Sequence, residues 1–290
     1  MAILAPVMKR IYLIILVFIF QNAVSYTQDY NNLVEKSFEC INNEDWACAE
    51  ESMIKALELE PANAQNALIL SNLGTVQRYM GKTDKALKSY TNALMIMPRS
   101  VTLLKNRASL YASIDSLDKA ITDYSTAISL DGDEEDILYE RGIIYLQKRD
   151  TLSARYDFEH ILKINPNSRS AYMGFATLMK YRNYYSEAVD LYTKVLKQND
   201  KDAEAYFGRA EAYFYIGKML KAREDLKKAM EIDANDPLFY VLRAKIEWSQ
   251  FEKERAMADF DKAVALGASK EKVDEIIADL QGESKKRAKR

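Results

Sequence analysis

The 290 residues, 48% of them hydrophobic, can bury a core and exclude a disordered chain. Nine Gly and five Pro are too few for a loop-rich all-β fold, and a single histidine, His160, removes most base and metal-ligand chemistry. The net charge of -2 hides an asymmetry: with Lys9, Arg10 and the five cations of residues 285–290 set aside, 34 basic side chains face 43 acidic ones in residues 26–284, a body that repels nucleic acid.

Lys9 and Arg10 precede an apolar run from Ile11 to Phe20, and Ala23-Val24-Ser25 follows. A short positive region, an apolar stretch and small residues at −3 and −1 are the parts of a secretory signal. Residues 1–25 are therefore expected to be a signal peptide cleaved after Ser25. Even extended to Val24 the run reaches about 14 residues, against the roughly 20 of a bilayer span, yet retention as an anchor stays open. Met8, directly before the basic pair, is an alternative start. The destination read from this segment is the periplasm or cell envelope of a Gram-negative bacterium.

From about residue 30 the chain repeats itself. Ala86, Ala120, Ala154, Ala188, Ala222 and Ala256 are each 34 residues apart, and Ala49 precedes the series by 37. Twelve residues before each anchor stands a small residue: Ser37, Gly74, Ala108, Gly142, Ala176, Ala210 and Ala244. Four after it stands a bulky one: Met53, Tyr90, Tyr124, Phe158, Tyr192, Leu226 and Phe260. Helices approach to about 8–10 Å only where small side chains sit at the crossing, and large neighbours then fill the grooves beside it. A 34-residue unit provides two helices of 12 to 14 residues and two turns, and such hairpins bury their apolar faces only by stacking. Pro61, Pro98 and Pro166 fall where the second helix must stop. The reading is all-α: hairpins at 30–63, 67–100, 101–134, 135–168, 169–202, 203–236 and 237–268, then a capping helix and basic tail over 269–290.

Leu73-Gly74, Ala86, Tyr90, Ala93 and Pro98, and again Tyr111, Ala120, Tyr124 and Ala127, resemble the tetratricopeptide repeat family, and the resemblance covers residues 30–268. It implies a right-handed α-solenoid superhelix of about seven helix-turn-helix repeats. It also implies a non-catalytic scaffold whose first helices line a concave groove for a protein or peptide.

Counting positions from each repeat's first residue, position 7 is Arg107, Arg141, Arg209 and Arg243 in the four repeats where position 23 is Asp123, Asp157, Asp225 and Asp259. Where position 7 is Leu73 or Phe175, position 23 is Ser89 or Leu191. The acid appears only with the arginine, which predicts a bidentate ion pair between the helices of one repeat. Cys40 and Cys48, at positions 11 and 19 of the first repeat, are a candidate disulfide, with two buried thiols as the alternative.

The remaining chemistry is sparse. Gly74 and Gly81-Lys82-Thr83 have six residues between the glycines where a phosphate loop has four. The acidic run Asp131–Asp136 lacks the sixth-place Gly and twelfth-place acid of a calcium loop. Asp115-Ser116-Leu117 and Asp150-Thr151-Leu152 are similar to a three-residue O-glycosylation acceptor, with turn capping as the plain alternative. No catalytic residues, metal ligands or cofactors are assigned, and nucleic acid is not an expected partner.

The resemblance places positions 2, 5, 9 and 12 in the groove. Lys105, Tyr139, Met173, Phe207, Glu211, Phe214, Tyr215 and Trp248 are the partner-binding candidates there, aromatic toward the C-terminal repeats. The Lys and Asn arrangement by which some members clamp a chaperone's C-terminal carboxylate has no counterpart. Residues 285–290 read as a solvated end, with weak contact to an anionic envelope surface as the sharper option. The expected function is a scaffold in the bacterial envelope. The alternative is a membrane-anchored or glycan- or peptidoglycan-associated envelope assembly factor.

Overall fold

A computed structural model describes residues 28–131 and 134–288, with side chains through residue 282. The expected signal peptide and the basic tail's side chains lie outside the described residues, as do two residues of the acidic run.

The first helix, α1, covers 28–42. It is followed by α2 (Trp46–Leu59), α3 (Asn66–Tyr79), α4 (Thr83–Ile96), α5 (Val101–Ser113), α6 (Leu117–Leu130) and α7 (Glu135–Gln147). Then come α8 (Thr151–Ile164), α9 (Arg169–Tyr181), α10 (Tyr185–Gln198), α11 (Ala203–Tyr215), α12 (Met219–Ile232), α13 (Pro237–Ser249), α14 (Lys253–Ala265) and α15 (Lys270–Ala288). Taken in pairs, α1 to α14 form seven hairpins, an all-α repeat solenoid with no strand among the described residues. The helices divide into two packed units, Met1–Ile137 and Leu138–Arg290.

Sequence chemistry fixes the helix ends. Side chains of Asp45, Ser100, Asp150, Ser168, Asp202 and Asp236 accept hydrogen bonds from first-turn N–H groups, and Pro237 occupies the first turn of α13, where its missing N–H costs nothing. Within each hairpin the turn is the same. The residue at position 15 has positive φ in all seven repeats: Glu44, Gly81, Asp115, Arg149, Asn183, Gly217 and Phe251. The next residue's N–H then donates back to the carbonyl five residues earlier, as from Lys82 to Gln77 and from Tyr184 to Met179, both at 2.8 Å. This is the left-handed helix stop that caps otherwise unsatisfied carbonyls. Between α2 and α3, Pro61–Gln65 form a turn. Asn63 and Asn66 hold that turn by bonding to Gln65 N–H and to the Glu60 carbonyl.

The anchor alanines from Ala49 to Ala256 are all fully buried. Beside them the bulky residues reach neighbouring glycines. A Cβ at Gly142 or at Gly174 would lie 2.5 Å from the Phe158 ring, and one at Gly208 would lie 2.4 Å from the Tyr192 ring. One aromatic thus serves two consecutive repeats, which is how stacking buries what a single hairpin cannot. At the C-terminus α15 closes the array through Val273, Ile276 and Leu280, and its backbone stays helical to Ala288 rather than ending before the basic tail.

Candidate binding surfaces

The repeated arginines do structural work. In each of the four repeats the guanidinium donates twice to the aspartate of the following helix: Arg107 to Asp123 at 2.7 and 2.9 Å, Arg141 to Asp157 at 2.9 and 2.6 Å, Arg209 to Asp225 at 2.6 and 2.8 Å, and Arg243 to Asp259 at 2.7 and 2.6 Å. All four carboxylates are buried. Burial pushes the Asp157 carboxyl up in pKa while Arg141 pulls it down. The third guanidinium nitrogen of Arg107 reaches back to Thr91 of the preceding repeat, and that of Arg209 to Thr193.

The second repeat, with Leu73 in the arginine's place, uses another buried network. Ser89 donates to Gln77, Gln77 to Glu50, and Lys82 pairs with the second Glu50 oxygen. Nothing in the 34-residue register points to Glu50, because its partners belong to the next repeat. In the first repeat Cys40 and Cys48 are joined as a disulfide, with Cα atoms 5.8 Å apart.

Six of the eight groove candidates divide into three groups. Met173 and Trp248 are buried, at 3% and 7% exposure, and are not available to a partner. Met173 lies in the core with Tyr192 and Ala210, flanked by Tyr139 and Phe207. Trp248 shares the terminal core with Val273 of α15, so the capping helix claims it. Lys105 and Glu211 are engaged in ion pairs between repeats, Lys105 with Asp136 and Glu211 with Lys180. Tyr139 and Phe207 are half-buried against Phe158 and Phe239, and burial pushes the Tyr139 hydroxyl up to about 12. Arg169, bridged to Asp202 and Glu204, is a further inter-repeat tie that the sequence reading did not single out.

What stays accessible is an aromatic edge at the turns of the fifth and sixth repeats. Tyr215 is 51% exposed and stacks on Tyr185 at 4.6 Å between ring centres, with Phe214 edge-on at 5.5 Å. Tyr181 and Tyr184, in the same α9–α10 turn, are also exposed, and Arg182 lies over the Tyr184 ring. The first unit has a similar stack, Trp46 on Tyr79 at 5.0 Å, from the equivalent positions 17 and 13.

One titratable group stands apart. Glu247 on α13 has a buried side-chain oxygen, Oε2, with no hydrogen-bond partner. Burial and the adjacent Asp259 push its carboxyl above the usual carboxylate range, against the pull of Arg243. The native state therefore holds a proton that the unfolded chain releases. The resulting stability is complete below the unfolded value, near 4.3, and is lost as pH rises through the higher native one. Thermal melts from about pH 4 to about pH 8 should show wild type falling progressively behind Glu247→Gln. Parallel curves for the two proteins would remove this assignment.

Among the described residues, no group of three or more His, Cys, Asp or Glu could hold a metal ion, and no helix is long and apolar enough to cross a membrane. His160 is half-buried on α8, edge-on to Tyr156.

Helix hairpins stacked through shared aromatics define a class of repeat scaffold, and comparison with known proteins gives that class its family. Profiles described as tetratricopeptide repeat match residues 69–101, 103–134 and 183–246. A crystal structure of a tetratricopeptide repeat protein from Parabacteroides merdae is 39% identical, with a TM-score of 0.81 over 88% of this chain and 99% of that one. The chain belongs to the tetratricopeptide repeat family. More distant likenesses are of fold alone: the APC/C hetero-tetramer Cut9-Hcn1 at 13% identity (TM-score 0.63; 86% of this chain, 55% of that one) and Pseudomonas aeruginosa pilF at 15% (0.56; 74% and 98%). Curated protein sequences give no match. Family members are generally non-catalytic and bind protein or peptide partners, and the fold makes this chain a protein–protein interaction scaffold.

Proposed function

We propose that the chain is an exported scaffold of the bacterial cell envelope that holds a partner protein or peptide at the aromatic edge of its second unit. The carrying observation is the exposed stack of Tyr215 on Tyr185, flanked by Phe214. Rigid aromatic rings that keep exposed faces are the residues that anchor interfaces. The contact lies beside the first-helix groove rather than on its floor, because Met173 and Trp248 are consumed by packing. The basic-apolar-small pattern of residues 9–25 supports export, and a bonded Cys40–Cys48 pair fits an oxidising compartment.

Chain 26–290, cross-linked in envelope extract, should enrich a protein partner. The Tyr181→Ala, Tyr184→Ala, Tyr215→Ala variant should lose it, since each anchor of this kind is worth about 2 kcal/mol or more. Equal recovery by both baits would reject the aromatic edge. Mass spectrometry of the mature protein should find Tyr26 at its N-terminus, and a retained Met1 or Met8 would turn the reading to a membrane-anchored factor. The same exposed tyrosines favour, as second reading, an envelope glycan stacked on the rings, for which sedimentation with purified peptidoglycan is the discriminating assay.

A further inference from the structure

The junction between the sixth and seventh repeats differs from its counterparts. At the junctions before Arg107 and Arg209, position 25 of the preceding repeat is a threonine that caps the free guanidinium nitrogen. Before Arg243 that position is Lys227, whose side chain turns outward and is 79% exposed. Nη1 of Arg243 is left with a 3.6 Å contact to the Met230 sulfur, and the side chain is 38% exposed where Arg107 and Arg209 are 19% and 16%. A cavity of about 340 Å³ opens there between α12 and α13. Its volume falls at the lower end of the roughly 300–1,000 Å³ range of small-molecule sites.

The lining has a consistent chemistry. Leu226 and Met230 supply apolar wall. Arg243 offers Nη1, Arg223 makes no ion pair among the described residues, and Lys227 has only an exposed contact to Glu231 at 3.7 Å. Guanidinium edges present parallel donors that suit a carboxylate or a phosphate. One acid at the rim, Glu231, limits the choice. Its proximity disfavours a dianion, and the apolar wall would lie idle beneath a bare ion.

We propose that this cavity binds an organic carboxylate: one anionic head held between Arg223 and Arg243, with an apolar body against Leu226 and Met230. The head can come from a free acid or from an acidic side chain of a bound partner. The site is separate from the aromatic edge and does not depend on that reading.

The test uses the full chain labelled with ¹³C-methyl methionine. Met230, whose signal is identified by its disappearance in Met230→Leu, is the reporter. Titration with 4-phenylbutyrate should shift the Met230 methyl saturably. Arg223→Ala should weaken binding about tenfold, the value of one charge-assisted contact. Lys227→Thr, which gives Arg243 the threonine oxygen that Arg107 and Arg209 have, should close the site and abolish saturation while the fold persists. Acetyl-Phe-Glu-amide serves as the second probe: tighter binding than phenylbutyrate assigns the site to a partner's side chain, and weaker binding assigns it to a free acid. A Met230 methyl unmoved by both probes overturns the proposal. So does unchanged affinity in both variants, or inorganic phosphate binding as tightly as phenylbutyrate.

Discussion

Asp157→Ala is expected to destabilise the second unit by about 3–5 kcal/mol, because it strands the Arg141 guanidinium in a place built for two charges. Asp157 is fully buried and the Arg141 side chain keeps 13% exposure, and removing one partner leaves the other's desolvation uncompensated. Arg99→Ala is the control: Arg99 is exposed, and such a surface change stays within about 0.5 kcal/mol. The fifth repeat supplies a rescue. It carries Phe175 and Leu191 where the fourth has Arg141 and Asp157, and Phe175 packs edge-on to Phe158 at 5.7 Å. Arg141→Phe with Asp157→Leu should therefore recover most of the loss, since an apolar pair of suitable size commonly replaces a buried ion pair without penalty. Urea melts followed by circular dichroism read all four proteins. Equal midpoints for Asp157→Ala and Arg99→Ala would sink the structural role of the pair.

Phe158→Ala is expected to cost a comparable 3–5 kcal/mol. The ring is fully buried, and no Cβ stands at Gly142 or Gly174 to fill the space it would leave. Two helices from two repeats close on this one side chain, so the cavity cannot collapse without moving both hairpins, and cavity costs are largest where collapse is blocked. Phe158→Leu should lose markedly less. A loss below about 1 kcal/mol for Phe158→Ala would mean that the hairpins re-pack freely and that the glycines do not define the crossing.

The repeat was legible because it rests on short-range rules. Small residues at positions 8 and 20 with bulk at 24 recur whether or not the neighbour is known, and the Arg107–Asp123 register can be read within one hairpin. Features that need two repeats at once were not legible. Whether position 5 or 12 faces a partner depends on what the next hairpin lays over it. Trp248 is covered by α15 and Met173 is enclosed by its neighbours, although both sit at positions shared with accessible residues. The Glu50–Gln77–Ser89 network has the same character. The turn geometry was hidden for another reason: Gly81 and Gly217 mark its left-handed residue with glycine and Asp115 and Asn183 mark it more weakly, while Glu44, Arg149 and Phe251 adopt it without a signature.

Those seven turns are closed by backbone groups, an N–H at position 16 donating to a carbonyl at position 11, and five of them hold a side chain that the bond does not use. The closing bond thereby survives a change of side chain at the tip, while the positive φ there still favours Gly, Asn or Asp over β-branched residues. Asn183 occupies such a tip, directly beside Tyr184 and Tyr185. The Asn183 side-chain oxygen accepts from the Tyr185 hydroxyl at 2.9 Å, so a substitution at this tip leaves the backbone closure in place while freeing one edge of the Tyr185–Tyr215 stack.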